Sequence, residues 1–300
     1  MHPGVPNSGP NDLALSNRLS INEFMLPDSV FEDDLETCSR AGASGMGIWE
    51  ERLGSGRDSE LAELFDESGM SATVCVSATP SILPLTFFGG PYDPAERIER
   101  LIASIRRFEP FGPSQFLTIT GADASISRSE QRRIIIEGYR QAGGAAAEIG
   151  ALVGIEPMRN RPNDSLVASV AEAADLVAEI DTEGVGILYD IWHHWDSPTV
   201  LEDIKSYASL FTAVQLGDWP DRPNPGTDRA IPGEGVIPLD RIFDALESAG
   251  YTGWYDLELV ADPLAEDSLL RLDRDEMLKR SINGLEAAWA KAGVNRNPEH

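Results

Sequence analysis

ALVGIEPMRNRPNDSLVASVAEAADLVAEIDTEGVGILYDIWHHW, residues 151–195, holds one complete strand–helix–strand unit. ALVGIEP (151–157) and VGILYDIW (185–192) are short and almost wholly apolar, the pattern of strands covered on both faces. Between them, residues 165–179 carry apolar side chains at three-and-four spacing, the mark of an amphipathic helix. A helix that returns the chain to the start of a second strand makes the two strands parallel.

Outward from this unit the alternation continues to both ends. Further strands are predicted at RLSINEF (18–24), GMGIWE (45–50), SATVCVS (71–77), QFLTITG (115–121), TAVQLGD (212–218) and WYDLELV (254–260). Helices are predicted at 28–41, 57–69, 93–109, 129–149, 198–210, 238–249 and 274–292, several opening on a capping residue such as Asp28, Asp93 or Ser129. Eight strand-then-helix units favour a closed, parallel (β/α)8 barrel in a single domain over an open doubly wound sheet, and no G-x-G-x-x-G follows the first strand. The barrel is expected over 18–292. Pro- and Gly-rich residues 1–17 read as a flexible lead-in and 293–300 as a flexible tail. Two long loops, about 78–92 and 219–237, follow strands and therefore belong to the catalytic face. In the last helix, Leu285 and Trp289 share a side that closes the barrel or meets a neighbour.

Composition narrows the partners. Fifty acidic against 24 basic residues give a formal charge of −26, which repels nucleic acid and anionic membrane surfaces. No apolar run approaches the length of a spanning helix, and the N-terminus lacks a basic region followed by an apolar one, so a cytoplasmic protein is expected. The two cysteines, Cys38 and Cys75, fall in core positions and suggest neither a disulfide framework nor a thiolate metal site.

Polar residues at the C-terminal ends of barrel strands point into the active site. That rule selects Glu50, Glu156, Asp190 with His193, Gln215 with Asp218, and Glu258. Glu156, Asp190, Gln215 and Glu258 come from four consecutive strands, neighbours about 5 Å apart, and converge near the axis. Carboxylates gathered in an apolar funnel repel one another unless a cation joins them. Oxygen ligands favour a hard divalent ion: Mn²⁺ first, with Mg²⁺ or Co²⁺ as alternatives.

The motifs GIEPM at Glu156, Asp-x-x-His in YDIWHHW, VQLGD at 214–218, PGEG at 232–235 and AGYTGWYDLELV ending beyond Glu258 together resemble the xylose isomerase-like TIM barrels. That family includes ketose 3-epimerases, hydroxypyruvate isomerases, inosose isomerases and dehydratases, and endonuclease IV. The resemblance covers roughly residues 18–292 and implies that Glu156, Asp190, the 215 position and Glu258 hold one divalent metal. It further implies that Glu156 and Glu258 act as acid and base and that His193 hydrogen-bonds substrate. One departure stands out, because family epimerases usually carry His where this chain has Gln215.

Such a centre makes the C–H beside a substrate carbonyl acidic enough for a carboxylate to take the proton. Return to the other face gives epimerisation, return to the next carbon isomerisation, and loss of a β-leaving group elimination; the sequence leaves all three open. Candidates to position substrate are His193, His194, Arg222 and Arg229, with Trp49, Trp192 and Trp219 as sugar-stacking walls. His194 reads as structural. Arg222 is favoured over Arg229, since it falls one position from a substrate-binding arginine of the family's epimerases, although both arginines can equally pair with Asp221 or Asp228. Glu50 reads as a substrate-side acid or a helix cap, and Asp218 as a residue orienting a ligand from behind. Phe87 and Phe88 supply a lid or an interface.

The expected activity is a sugar isomerase or epimerase acting on a keto-sugar or inosose. The first alternative is a lyase on an oxidised sugar, like inosose dehydratases or the catalytic subunits of C-glycoside deglycosidases, which work with a small partner subunit; the second is a non-catalytic sugar-binding barrel. Four histidines, two of them at positions 2 and 300, and a strongly acidic chain exclude the three-metal DNA-repair branch. The acidic loop after the eighth strand disfavours phosphorylated substrates. A homo-oligomer is expected from the family.

Overall fold

Every strand pairing among the described residues is parallel, and the strands follow one another around a nearly closed barrel. The computed structural model describes residues 14–27, 29–159, 161–222, 228–262 and 268–293. The strands are β1 (Leu19–Asn22), β2 (Gly45–Gly47), β3 (Ser71–Ala72), β4 (Val74–Ser81), β5 (Gln115–Ile119), β6 (Leu152–Ile155), β7 (Val185–Asp190), β8 (Phe211–Leu216) and β9 (Trp254–Leu257). β3 pairs with β2, and β4 pairs with β5. Only Thr73 separates them: its N–H donates to Met46 O, its own carbonyl accepts from Gln115, and a Trp49–Val76 bridge continues the seam. Together β3 and β4 fill one strand position, so nine segments form the eight positions expected.

The helices are α1 (Phe31–Ala41), α2 (Asp58–Ser68), α3 (Pro94–Arg107), α4 (Arg128–Glu148), α5 (Val170–Ile180), α6 (Ile191–His194), α7 (Val200–Tyr207), α8 (Leu239–Ser248) and α9 (Arg274–Ala292). Asp93 caps α3 as expected, accepting from Ala95 and Glu96 N–H at 2.8 and 3.1 Å ahead of Pro94. At α4 the cap is Ser127, not Ser129: Ser127 Oγ accepts from Glu130 N–H at 3.2 Å, one residue before the helix. Asp28 and residues 1–13 and 294–300 lie outside the described residues. Residues 14–17, assigned by composition to the lead-in, instead enter a 3-10 turn, Leu15–Arg18, that buries Leu15.

Alternation along the strands separates two apolar layers. Cys75, Phe116, Ile187, Val214 and Tyr255 face outward to the helices, where Leu285 and Trp289 of α9 join the same core. Val74, Val76, Leu117, Leu188, Ala213 and Trp254 belong to a separate cluster, the barrel interior, capped by Phe24, Trp49, Leu85, Phe88 and Met158. Period two then decides which polar side chains enter the barrel. Asp190 follows Leu188, Gln215 follows Ala213, and Asp256 and Glu258 follow Trp254. Among the described residues no helix is long and apolar enough to cross a membrane.

Beside β1 lie two buried acids, Glu23 and Asp34. Burial is the main cause that pushes Glu23 well above the carboxylate range and Asp34 up to about 6, with Arg52 and Arg274 nearly 4 Å from Asp34 opposing it. An unfolded aspartate titrates near 4, so the folded protein holds the extra proton between about pH 4 and 6 and loses stability as pH rises through that window. Asp34→Asn removes this slope. In thermal melts from pH 4 to 7, the parent is expected to fall behind the variant by a few degrees as pH passes 6; parallel curves would refute the assignment.

Candidate active site

The six acids and amides expected at strand ends do not all meet. Glu156 follows β6, and its backbone N–H continues the sheet to Thr118 O. Asp190 ends β7, where its Oδ1 accepts from Trp192 N–H at 2.9 Å and starts α6. This turn, absent from the sequence reading of 185–192 as continuous strand, swings His193 over the barrel mouth. His193 Nε2 lies 3.3 Å from Glu156 Oε1 and 3.6 Å from Asp190 Oδ2. Among the described residues, Glu156, Asp190 and His193 each offer a ligand atom within 4.8 Å of the others, a grouping that can hold a metal ion.

The largest departure is Arg229. Its guanidinium donates to Asp190 Oδ1 at 3.2 Å and Oδ2 at 2.6 Å, and its Nη2 also lies 2.6 Å from Glu258 Oε2. The Trp192 ring lies 5.5 Å from the same guanidinium. All of these groups are buried. Burial opposes the ionisation of Asp190, but the Arg229 charge, His193 and hydrogen bonds from Arg229 and Trp192 N–H outweigh it and hold the carboxyl low. Glu258 goes the other way, to about 8: burial dominates, Arg229 opposes it, and Asp190 and Glu156 add repulsion. One barrel mouth therefore holds one carboxyl kept ionised and another that keeps its proton near neutrality.

Arg222, favoured from the sequence, is exposed and pairs with Asp228 at 2.6 Å. The difference between the two arginines has a physical source in Asp218. Its carboxylate accepts backbone N–H groups from Trp219, Gly233, Gly235 and Ile237 at 2.8–3.1 Å, and its backbone forms an antiparallel bridge with Ala230. A Cβ at Gly235 would stand 2.4 Å from Asp218 Oδ1, so PGEG is the wrapping that this buried carboxylate requires. Asp218 touches none of the central acids. It folds the loop after β8 so that Arg229, beside the bridge, turns inward.

Glu50 is likewise a structural tie. Its Oε2 accepts from Ala78 N–H at 2.7 Å and Ser104 Oγ at 2.6 Å, and Oε1 from Arg107 at 3.3 Å, joining β4 to α3 rather than facing substrate. Trp192 stands in the site, while Trp219 stacks on it with centroids 4.8 Å apart. Trp49 lies on Phe24 at 4.8 Å in the apolar cap of the interior. Phe88 packs in that cap, whereas Phe87 is exposed under Arg161. His194 Nε2 donates to Pro157 O at 3.0 Å, and burial holds the ring neutral, at about 4.

Gln215 is fully buried beside Asp190 in the β7–β8 register. Its Nε2 donates to Asp256 Oδ2 at 3.3 Å, and its Oε1 has no hydrogen-bond partner among the described residues. Asp256 escaped the sequence reading, which examined only strand ends. The signal was available, since Asp256 and Glu258 are two apart and share a face.

The family profile for xylose isomerase-like TIM barrels matches residues 35–288. A putative hydroxypyruvate isomerase of Streptomyces coelicolor is 32% identical over 177 residues, 55% of this chain and 61% of that protein. An inosose dehydratase of Erwinia tasmaniensis is 28% identical over 152 residues, 45% and 49% of the two chains. The matched region thus spans about half to three fifths of these relatives' length. A solved structure described as IOLI protein with a bound zinc atom superposes with a TM-score of 0.75 at 20% identity, over 92% of this chain and 99% of that one. The acid and histidine grouping supports a divalent-cation site in this barrel as well.

Proposed function

The chain belongs to the xylose isomerase-like TIM barrel family, and on that premise we propose that it is a sugar isomerase or epimerase that moves a proton next to the carbonyl of a keto-sugar or inosose. The observation that carries this reading is the buried chain Glu156–His193–Asp190–Arg229–Glu258 at the C-terminal mouth of the barrel. Two glutamates, side chains able to take and return a proton, flank one charged centre, which supports this reading.

The residues fit a divalent ion. Glu156, Asp190 and His193 offer donors within mutual reach, and the unpartnered Gln215 Oε1 and the Glu258 carboxylate complete a set rich in oxygen. We assign Mn²⁺ on that donor chemistry. When bound, such an ion withdraws charge from a substrate carbonyl and neighbouring hydroxyl. The chain's own groups do the rest. Glu156 accepts the proton of the adjacent carbon while His193 hydrogen-bonds a substrate hydroxyl. Glu258, on the other side of the charged centre, returns a proton to the enediolate. Arg229 fixes the Asp190 and Glu258 carboxylates and turns its charge toward the developing oxyanion. Trp192 walls the sugar, and Phe24, Trp49 and Phe88 keep the mouth apolar.

Similarity to an inosose dehydratase favours a second reading, elimination of a β-hydroxyl after the same proton abstraction. Incubation of the Mn²⁺-loaded protein in D₂O with ketoses, inososes and 3-oxo-glycosides separates the two by NMR. Deuterium at a carbon beside the carbonyl with the hydroxyl retained indicates isomerase or epimerase, and an unsaturated or deoxy product indicates lyase. No exchange with any member would refute both. The proposed homo-oligomer, or a small partner subunit for a deglycosidase-like lyase, is read from the mass of the purified assembly.

A further inference from the structure

We propose that Asp256 is a positioning residue that makes Gln215 an oxygen donor, by fixing which end of its amide faces the charged centre. The inference rests on the divalent-cation reading above.

An amide side chain presents oxygen on one side and nitrogen on the other, and the two are interchangeable by rotation unless neighbours discriminate. Here the discrimination can be followed from a group that cannot reverse. The backbone N–H of Phe24 donates to Asn22 Oδ1 at 3.1 Å. A backbone N–H only donates, so the other end of the Asn22 side chain, Nδ2, is a donor, and it reaches Asp256 Oδ2 at 2.9 Å. Asp256 Oδ2 is therefore an acceptor. Ser20 Oγ donates to Asp256 Oδ1 at 2.7 Å. Gln215 meets the same Oδ2 at 3.3 Å, so it must turn its Nε2 toward Asp256. Its Oε1 then points away from Asp256, buried and without a hydrogen-bond partner among the described residues.

The sheet register makes the arrangement rigid. Ser20 pairs with Asp256, Asp256 with Gln215, and Gln215 with Asp190, one row across β1, β9, β8 and β7. An acceptor on one flank of Gln215 thus leaves the amide oxygen to the other, where Asp190 is its register neighbour. A neutral carbonyl oxygen at position 215 does for a hard cation what an imidazole nitrogen does for a softer one, provided the amide cannot turn over. Asp256 itself touches no substrate; it acts through Gln215.

The test is Mn²⁺ affinity of the folded, chelator-treated protein, measured by calorimetry and by the electron paramagnetic resonance of free Mn²⁺. Asp256→Leu removes the acceptor and is expected to weaken Mn²⁺ binding tenfold or more. Asp256→Asn, whose amide oxygen accepts the same two donors, should stay within about threefold of the parent. The decisive variant is Asp256→Leu combined with Gln215→Glu. A carboxylate offers oxygen at both ends and needs no orientation, so affinity is expected to return to within about threefold of the parent or better. Should Asp256→Leu fail to fold, Asp256→Ser carries the same expectation with a smaller change in polarity. Equal affinity in the parent and in Asp256→Leu or Asp256→Ser, or no rescue by Glu at 215, overturns the role of Asp256. A parent that binds no Mn²⁺ overturns the cation reading beneath it.

Discussion

Glu156→Gln and Glu258→Gln each lower α-proton exchange by about 10²–10⁴-fold, the contribution typical of a positioned acid or base. The two groups sit in different environments. Glu156 faces His193 at 3.3 Å, and Glu258 is pushed by burial to about 8 and tied to Arg229 at 2.6 Å. A glutamine keeps shape and hydrogen-bonding ability but neither takes nor returns a proton. Exchange should therefore fall while substrate still saturates the variant. Deuterium incorporation by NMR, with substrate affinity measured separately, checks both parts. If both variants exchange at the parent rate, the proton passes through other groups and the assignment fails.

Arg229→Met destabilises the metal-free protein by about 3–5 kcal/mol, the cost of leaving buried charges without their partner. Asp190 would lose the opposing charge that keeps its carboxyl low, and Glu258 a cation at 2.6 Å. Methionine fills much of the arginine's stem volume, which isolates the charge from the packing. Added Mn²⁺ should raise the melting temperature of this variant more than that of the parent, because the ion then supplies the missing positive charge. Arg222→Met, by contrast, should move stability by less than about 1 kcal/mol, as for other exposed ion pairs. Equal metal-free stability of Arg229→Met and the parent would show that Arg229 does not hold the carboxylates together.

The legible part of this protein was whatever depends on local periodicity. Apolar runs and amphipathic spacing located all the strand positions and the longer helices that return from them, though not the short α6, and a single residue, Thr73, accounts for the extra strand segment. Strand ends named Glu156, Asp190, His193, Gln215 and Glu258, because the C-terminal mouth of a parallel barrel collects them wherever the intervening helices lie. Asp256 lies two residues before Glu258 and so shares its face by the same period of two.

The residues whose surroundings the sequence did not reveal are those whose partners lie far away in the chain. Glu50 shows a carboxylate at a strand end, yet Ser104 and Arg107 of α3 claim it. Arg222 and Arg229 share one loop and one residue type, and nothing in their neighbours distinguishes them. The choice is made by Asp218, which gathers the N–H groups of PGEG and pairs with Ala230, turning one arginine inward beside Asp190 and Glu258 and leaving the other at the surface. By itself the sequence determined the barrel and the ring of acids at its mouth, since strand period and chain order dictate both. Only the tertiary structure decided which cation the acids meet and which way Gln215 presents its amide. Those outcomes depend on the direction of hydrogen bonds and on the compensation of buried charge between segments distant in the chain.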